Sequence, residues 1–437
     1  MKEGLIGPLR IDSLAFGGSG VARHDGRVIF IPGTVPGDRV RVRLLREKKR
    51  YAEARAVEIV EPSDQRCAPA CPVFGSCGGC QWQMLPYAQQ LRHKEQIFGD
   101  MLARQCRIAS DLIAPIIPAP SPWNYRSRVQ FKCHALADGR LAIGFFRGGS
   151  HFVIDIDQCP IAAPAFNRLL PKLKACLGGR PWARRIPQID MERDDDDRVR
   201  LIVHFLGEDA AGLAQLLRPL MKETGAALYL QQGRKESLAP CNGGAELLIA
   251  VDEPPLHLAY AAGGFAQVNL EQNRRMLAAA LEMAVPLSAW RVLDLYCGMG
   301  NFSIPFARRV RSLVAVEDFA ASVAQGRQNA RRNRIDNVRF EAASAAEVGR
   351  ICAAEEGFDL AILDPPRSGA QVAAKALAAA RVPRILYVSC DPMTLTRDLN
   401  LLLRDGYRLV QSRPLDMFPQ TYHLESLSLL VHETRGD

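Results

Sequence analysis

The sequence predicts a chain of β and α/β domains: a small OB-like β-barrel first, a β-rich middle next, and a doubly wound, Rossmann-like sheet last. Three observations carry this reading. Residues 1–62 are short β-rich runs parted by turn residues. Residues 63–265 add further β-like runs behind an array of cysteines. From Gln272 onward strand and helix patterns alternate, as a doubly wound sheet requires. With 437 residues, each part can bury a core of its own.

Composition narrows the class. A hydrophobic share of 48% and a charged share of 24% are those of an ordinary globular protein. The net charge of +9 favours a polyanionic partner. No apolar run approaches the ~18 residues of a membrane span. The opening MKEGLIGPLR lacks the apolar core of a signal peptide, so the cytoplasm is expected. Of 12 cysteines, four fall between Cys67 and Cys80. Without an export signal, such clustering points to a metal or cluster in preference to disulfides.

In the first segment, Val40 and Val42 alternate with Arg39, Arg41 and Arg43, which puts valine on one face and arginine on the other. Gly17-Gly18 and Pro36-Gly37-Asp38 mark turns. Arg46, Lys48, Lys49 and Arg50 form a basic loop. The run SLAFGGSGVARHDGRVIFIPGTVPGDRV resembles a TRAM domain, which implies an RNA-binding barrel.

The array RCAPACPVFGSCGGC follows. Zinc would use all four local thiolates. An iron–sulfur cluster would draw three from here and a fourth from elsewhere, and Cys159 in IDQCPI is a candidate. Spacing alone leaves both open. Residues 85–108 read as a helix, with Leu91, Ile97, Met101 and Leu102 roughly on one face, expected to pack on the C-terminal domain. Arg126, Arg128 and Lys132 alternate with apolar residues in a strand suited to a phosphate backbone. Asp194–Asp197 reads as a hairpin tip, since four aspartates in a row point to alternating sides.

Five strands are expected in the last part: 291–296, 313–317, 338–341, 360–363 and 385–389. The first runs into Cys297-Gly298-Met299-Gly300-Asn301, which lacks the third glycine of a dinucleotide fingerprint. Glu317 ends the second strand, where an acid holds a ribose diol. Together these favour S-adenosylmethionine over NAD. Asp364-Pro365-Pro366-Arg367 ends strand four at the same edge. Cys390 ends strand five, ahead of Asp391 and Pro392 as helix cap and first-turn proline. Cys390 reads either as a buried apolar thiol or as a nucleophile. The nucleophilic reading has specific chemistry. A thiolate adding to C6 of uracil makes C5 nucleophilic toward a methyl group, and a base such as Glu425 then removes the C5 proton.

FAQVN (Phe265–Asn269), DLYCGMGNFS (Asp294–Ser303), DPPRSG (Asp364–Gly369), SCDPMTLTRD (Ser389–Asp398) and HLES (His423–Ser426) together resemble the RNA (uracil-5-)-methyltransferase family, over essentially the full length. The resemblance implies Cys390 as nucleophile and Glu425 as base. It implies cofactor contacts at Gln267, Tyr296, Asn301, Glu317 and Asp364, and at Ser344, where the family commonly has Asn or Asp. Phe265 is expected to stack on the target base. The family's [4Fe-4S] ligands fall on Cys71, Cys77, Cys80 and Cys159, with Cys67 outside the pattern. A TRAM domain joined to a cluster is most similar to the family's 23S rRNA branch. The expectation is therefore a monomeric 23S rRNA enzyme with a methyltransferase domain over 266–437, acting on neither DNA nor membranes. The competing readings are a tRNA enzyme and a non-catalytic RNA-binding or assembly protein.

Overall fold

The computed structural model describes residues 5–244, 246–355 and 357–433. The barrel is a sheet of β1 (Leu5–Arg10), β2 (Ser13–Leu14), β3 (Gly20–His24), β4 (Arg27–Ile31), β5 (Arg39–Glu47) and β6 (Tyr51–Glu61), in the order β1-β5-β6-β4-β3-β2. Val40 and Val42 point into a core with Ile11, Ile29, Ile31, Ala52 and Ala54, and the arginines between them face solvent. Buried Asp38 accepts from the N–H groups of Val35 (2.8 Å) and Ser63 (2.9 Å) and from the Arg66 guanidinium (2.7 Å). This one carboxylate closes the turn before β5 and ties the barrel to the cysteine segment.

Helix α1 (Tyr87–Cys106) comes next. Its Phe98, Leu102 and Cys106 share a core with the C-terminal sheet. The central sheet contains β7 (Arg128–Ala135), β8 (Leu141–Phe146), β9 (Val153–Asp155), β10 (Gln188–Arg193), β11 (Val199–Phe205), β12 (Ala227–Gln232) and β13 (Ala239–Pro240), in the order β13-β12-β11-β10-β7-β8-β9. Helices α2 (Pro164–Leu177) and α3 (Ala210–Thr224) bury Leu169, Leu173, Leu177, Leu213, Leu217 and Leu220 in the same core as its strands. The Asp194 tip joins β10 to β11. Its buried carboxylate accepts from the N–H groups of Asp196 (3.1 Å) and Arg198 (3.0 Å), which spends it on the turn.

The hairpin β14 (Leu247–Val251) and β15 (Leu256–Tyr260) packs with the C-terminal part, in a common core with α4 (Leu270–Ala284). Buried Asn329 fastens it, exchanging hydrogen bonds with the Ala259 backbone at 2.8 and 3.0 Å. The last sheet alternates with helices: β16 (Arg291–Leu295), α5 (Ser303–Ala307), β17 (Ser312–Glu317), α6 (Ala320–Arg332), β18 (Val338–Ala342), α7 (Val348–Ala354), β19 (Leu360–Leu363), α8 (Gln371–Ala379), β20 (Arg384–Ser389), α9 (Pro392–Arg404), β21 (Tyr407–Leu415) and β22 (Glu425–His432). The order is β18-β17-β16-β19-β20-β22-β21, with β22 antiparallel to both neighbours. No helix among the described residues is long and apolar enough to cross a membrane.

Candidate active site

Register brings the motif residues to one edge. Parallel pairing aligns Leu295 with Val316 and with Leu363, and Leu363 with Tyr387. The next residues on the four strands, Tyr296, Glu317, Asp364 and those after Tyr387, therefore leave the sheet together at its carboxyl edge. The antiparallel β22 adds a side chain from the opposite direction. Ser389 pairs with Ser426, so one step outward Cys390 faces Glu425. Directly opposite positions bring Cβ atoms within about 4.5–5.5 Å. The Ser426 hydroxyl also donates to the Ser389 carbonyl at 3.3 Å. A cap holds the thiol's strand-to-helix turn: Asp391 accepts from the N–H groups of Met393 (2.9 Å) and Thr394 (3.1 Å).

The glycine loop is built for close backbone approach. Tyr296, Gly298 and Gly300 all have left-handed φ values, 63°, 56° and 95°. A Cβ on Gly300 would crowd Ile304 at 3.0 Å and Phe340 at 3.1 Å. Over Gly298 there is open space. Glu317 accepts from the N–H groups of Gly298 (3.1 Å) and Phe319 (3.0 Å), which fixes its carboxylate beside the loop. Asn301 exchanges amide hydrogen bonds with Asn273 of α4 at 2.8 and 2.9 Å. The Asp364 loop is anchored by Asp398 of α9, which accepts from the Ala370 N–H and the Tyr387 hydroxyl, each at 2.7 Å.

Acids crowd this edge. Burial pushes the Asp364 carboxyl up to about 7. Glu425 is buried, and burial together with the Asp364 charge holds its carboxyl well above the usual range. Burial, then Glu425 and Asp364, push the Cys390 thiol up to about 12. Arg367 opposes the shift in both Cys390 and Glu425. Such a group of neighbours cannot all be ionised at once, so thiol and carboxyl titrate as a set.

The segment leading into Glu425 is clamped by α1. Fully buried Lys94 donates to Asp416 at 2.6 Å and to the Phe418 carbonyl at 3.1 Å. Gln90 donates to the Gln420 side chain at 3.0 Å and accepts from its backbone N–H at 2.9 Å. His423 is half-buried against Tyr422, ring centroids 4.1 Å apart. Burial, with Arg367 and Lys94 nearby, holds its imidazole down to about 4, so it is neutral at physiological pH. Tyr422 in turn meets Phe16 of the barrel edge-on at 5.6 Å.

Cys71, Cys77, Cys80 and Cys159 line one cavity of about 80 Å³, walled by Val73, Phe74, Phe145 and Ile156. Cys67 is not part of it, and its thiol donates to the Gln83 carbonyl at 3.4 Å. Among the described residues no group of three or more His, Cys, Asp or Glu is disposed to hold a metal ion. The four thiols are gathered around one space that Gln83, Gln158 and Arg126 also line, and the buried Arg126 Nε has no partner. Four thiols are the soft donors that a zinc ion or an iron–sulfur cluster would use.

Residues 86–433 match the tRNA (Uracil-5-)-methyltransferase family. The chain belongs to this family. Residues 3–57 match the TRAM domain. The 23S rRNA (uracil(1939)-C(5))-methyltransferase RlmD of Alkalilimnicola ehrlichii is 37% identical, over 98% of this chain and 97% of that protein. The same-named protein of Pectobacterium atrosepticum is 36% identical, over 95% and 92%. The fold matches the solved structure of Pyrococcus abyssi tRNA (uracil-54, C5)-methyltransferase in complex with S-adenosyl-L-homocysteine, with a TM-score of 0.75 over 97% of this chain and 99% of that one, at 24% identity.

Against the family motifs, several expected residues have other employment. Arg126 turns toward the cysteine cavity. Arg128 donates to the Gly264 carbonyl at 2.6 Å and pairs with buried Glu192 at 3.2 Å. Lys132 bonds Gln188 and lies over the Phe146 ring. In β7, Arg128 and Lys132 thus have partners within the protein, Glu192 and Gln188 of β10 and the Phe146 ring of β8 among them. The Ser344 hydroxyl caps the short turn after β18, accepting from the Ala346 N–H at 3.1 Å. Gln267 is buried, with its carbonyl held by Ser127 at 3.3 Å. Phe265 is 68% exposed and lines a cavity of about 410 Å³ with Phe319 and Met299. Sequence reasoning missed Arg367 and the Lys94–Asp416 pair. Arg367 stands in a quoted motif without a role. Lys94 interrupts the buried stripe Gln90, Phe98, Leu102 and Cys106 of α1, which is a visible signal of a paired charge.

Proposed function

We propose that this chain transfers a methyl group from S-adenosylmethionine to C5 of a uridine in 23S rRNA. The observation that carries the reading is the facing pair Cys390 and Glu425 at the edge where Tyr296, Glu317 and Asp364 also emerge. Cys390 Sγ, its proton gone, bonds to C6 and drives an electron pair to C5 and the O4 carbonyl. C5 then takes the methyl group from the sulfonium of S-adenosylmethionine, whose methyl–sulfur bond breaks with its electron pair left on sulfur, giving S-adenosylhomocysteine. Glu425 removes the C5 proton, the C5–C6 double bond returns, and the Cys390–C6 bond breaks. Gln267, Tyr296, Asn301, Glu317 and Asp364 would hold the donor, and the exposed Phe265 would stack on the unstacked target base. Ser344 is the weakest of the expected donor contacts, since its hydroxyl is already bonded. Cys71, Cys77, Cys80 and Cys159 would hold a [4Fe-4S] cluster.

The rRNA assignment rests on relatives of like length that carry that name. A cytoplasmic monomer is part of the same reading. Methyl transfer to 23S rRNA and tRNA transcripts, measured side by side, tests it. Activity on the rRNA alone is expected, activity on tRNA alone would overturn the target, and none on either would favour a non-catalytic role. For the cysteines, Cys77→Ser should lose iron and the broad absorption near ~400 nm, whereas Cys67→Ser should keep both.

A further inference from the structure

Arg126 joins the cysteine cavity to the two segments that furnish the active site. Among the described residues lining that cavity it is the only one with a charged side chain. Its Nε is buried with no hydrogen-bond partner. A guanidinium donor left unsatisfied inside a protein is costly unless a ligand supplies the acceptor. Neighbouring cations differ, since Arg128 already has Glu192 and the Gly264 carbonyl.

The backbone around Arg126 reaches in three directions. Toward the Cys159 loop, its N–H donates to the Ile161 carbonyl at 2.9 Å, and its carbonyl accepts from Ala163 at 3.0 Å. Toward the Phe265–Asn269 motif, the Ser127 N–H donates to the Val268 carbonyl at 2.7 Å, and the Ser127 hydroxyl reaches the same atom at 3.0 Å. Toward the Glu425 segment, the Tyr125 hydroxyl donates to the Pro419 carbonyl at 3.0 Å. Right after Cys80, the N–H groups of Gln81 and Trp82 both donate to the Gln420 carbonyl at 3.1 Å. The thiols and the methyl-transfer edge thus share one short run of hydrogen-bonded chain.

We infer that Arg126 is a positioning residue that balances the negative charge of the thiolate-held centre and keeps that centre in register with the Phe265–Asn269 and Pro419–Glu425 segments. The inference rests on the cluster reading above. Four thiolates outweigh the charge of an iron–sulfide core, so the bound centre is anionic and supplies an acceptor for the one guanidinium nitrogen left without a partner, Nε. Losing the centre would leave Arg126 unbalanced in the cavity wall and loosen both segments. Cluster integrity would then bear on methyl transfer without taking part in its chemistry.

The test uses full-length, iron-loaded protein with Arg126→Met and Arg126→Lys. Midpoint potential of the centre, bleaching rate in air, and amide exchange of peptides covering 265–269 and 419–425 are read for each. Arg126→Met should shift the potential more negative, since removing a positive charge disfavours an added electron. It should also bleach several-fold faster and exchange faster in both peptides. Arg126→Lys should restore the potential, which a merely structural side chain would not do. An unchanged potential in iron-loaded Arg126→Met overturns the assignment while leaving the cluster reading intact. If Arg126→Met fails to fold, Arg126→Lys alone decides: a wild-type potential is expected, and a clear negative shift despite the retained charge overturns the assignment. A wild-type protein that binds zinc and no iron overturns the cluster reading and this inference with it.

Discussion

Cys390, Glu425 and Asp364 are acids brought together: burial raises all three, Asp364 raises Glu425 further, and both carboxyls raise Cys390. Arg367 is the cation that opposes this at both Cys390 and Glu425. In the proposed reaction both groups work deprotonated, and both have raised values, so kcat/KM should rise with pH through neutrality. Arg367→Gln removes the opposing charge, and the rising limb should move up by roughly half a pH unit. At pH 7 that means a rate lower by about threefold, largely recovered at higher pH. A pH–rate profile of wild type and variant checks it, and an unshifted limb would remove Arg367 from the account. Cys390 was legible in the sequence because a strand ends at it and a capped helix follows. The Arg367 effect was not, because a charge acts through space and the motif gives no distance. Nor could the alternation of arginine and lysine over 126–132 reveal that Arg126 would line the cysteine cavity and that Arg128 and Lys132 would meet Glu192 and Gln188.

At the scale of elements, α1 sets the approach to Glu425. Lys94 and Asp416 are both wholly buried, so each is tolerable only with the other. Lys94→Met should destabilise the protein by about 3–5 kcal/mol, because Asp416 stays buried without its cation. The double variant Lys94→Met/Asp416→Leu should recover most of the loss, and urea unfolding of the three proteins measures it. Equal stability of the double and the single variant would contradict a paired role. The extents of α1 and of the five parallel strands were readable within about two residues at each end, but the buried face of α1 was not: of Leu91, Ile97, Met101 and Leu102 only Leu102 is buried, because the stripe runs through polar Gln90 and Lys94. Helices α2 and α3 went unread. Each holds a proline, Pro171 and Pro219, in its interior, although the leucines at 169, 173 and 177 and at 213, 217 and 220 carry helical spacing. The hairpin 247–260 was readable as strands, but nothing local says whose core it joins.

Across the whole molecule, the barrel lies against the segment leading to Glu425 through Phe16 on Tyr422, and against the stretch after Cys80 through the Trp82 indole N–H on the Gly18 carbonyl at 3.2 Å. Its outer face sets Arg43 directly across from Arg55, both exposed. Like charges opposite each other cost stability, which an anionic partner would relieve. Arg43→Ala and Arg55→Ala should each weaken RNA binding and lower the slope of log K against log salt by about 1, leaving affinity for S-adenosylmethionine unchanged. Filter binding across a salt series reads the slope, and an unchanged value would move the RNA to another face. The central claim is that Cys390 bonds to the uracil it methylates. Incubating the protein with S-adenosylmethionine and a 23S rRNA fragment carrying 5-fluorouridine, then sequencing the cross-linked peptide by mass spectrometry, tests it most directly. The account predicts a methylated adduct on Cys390, since fluorine cannot leave as the proton does, and none in Cys390→Ala. Methylation of unmodified RNA by Cys390→Ala, or an adduct on any other residue, would contradict it.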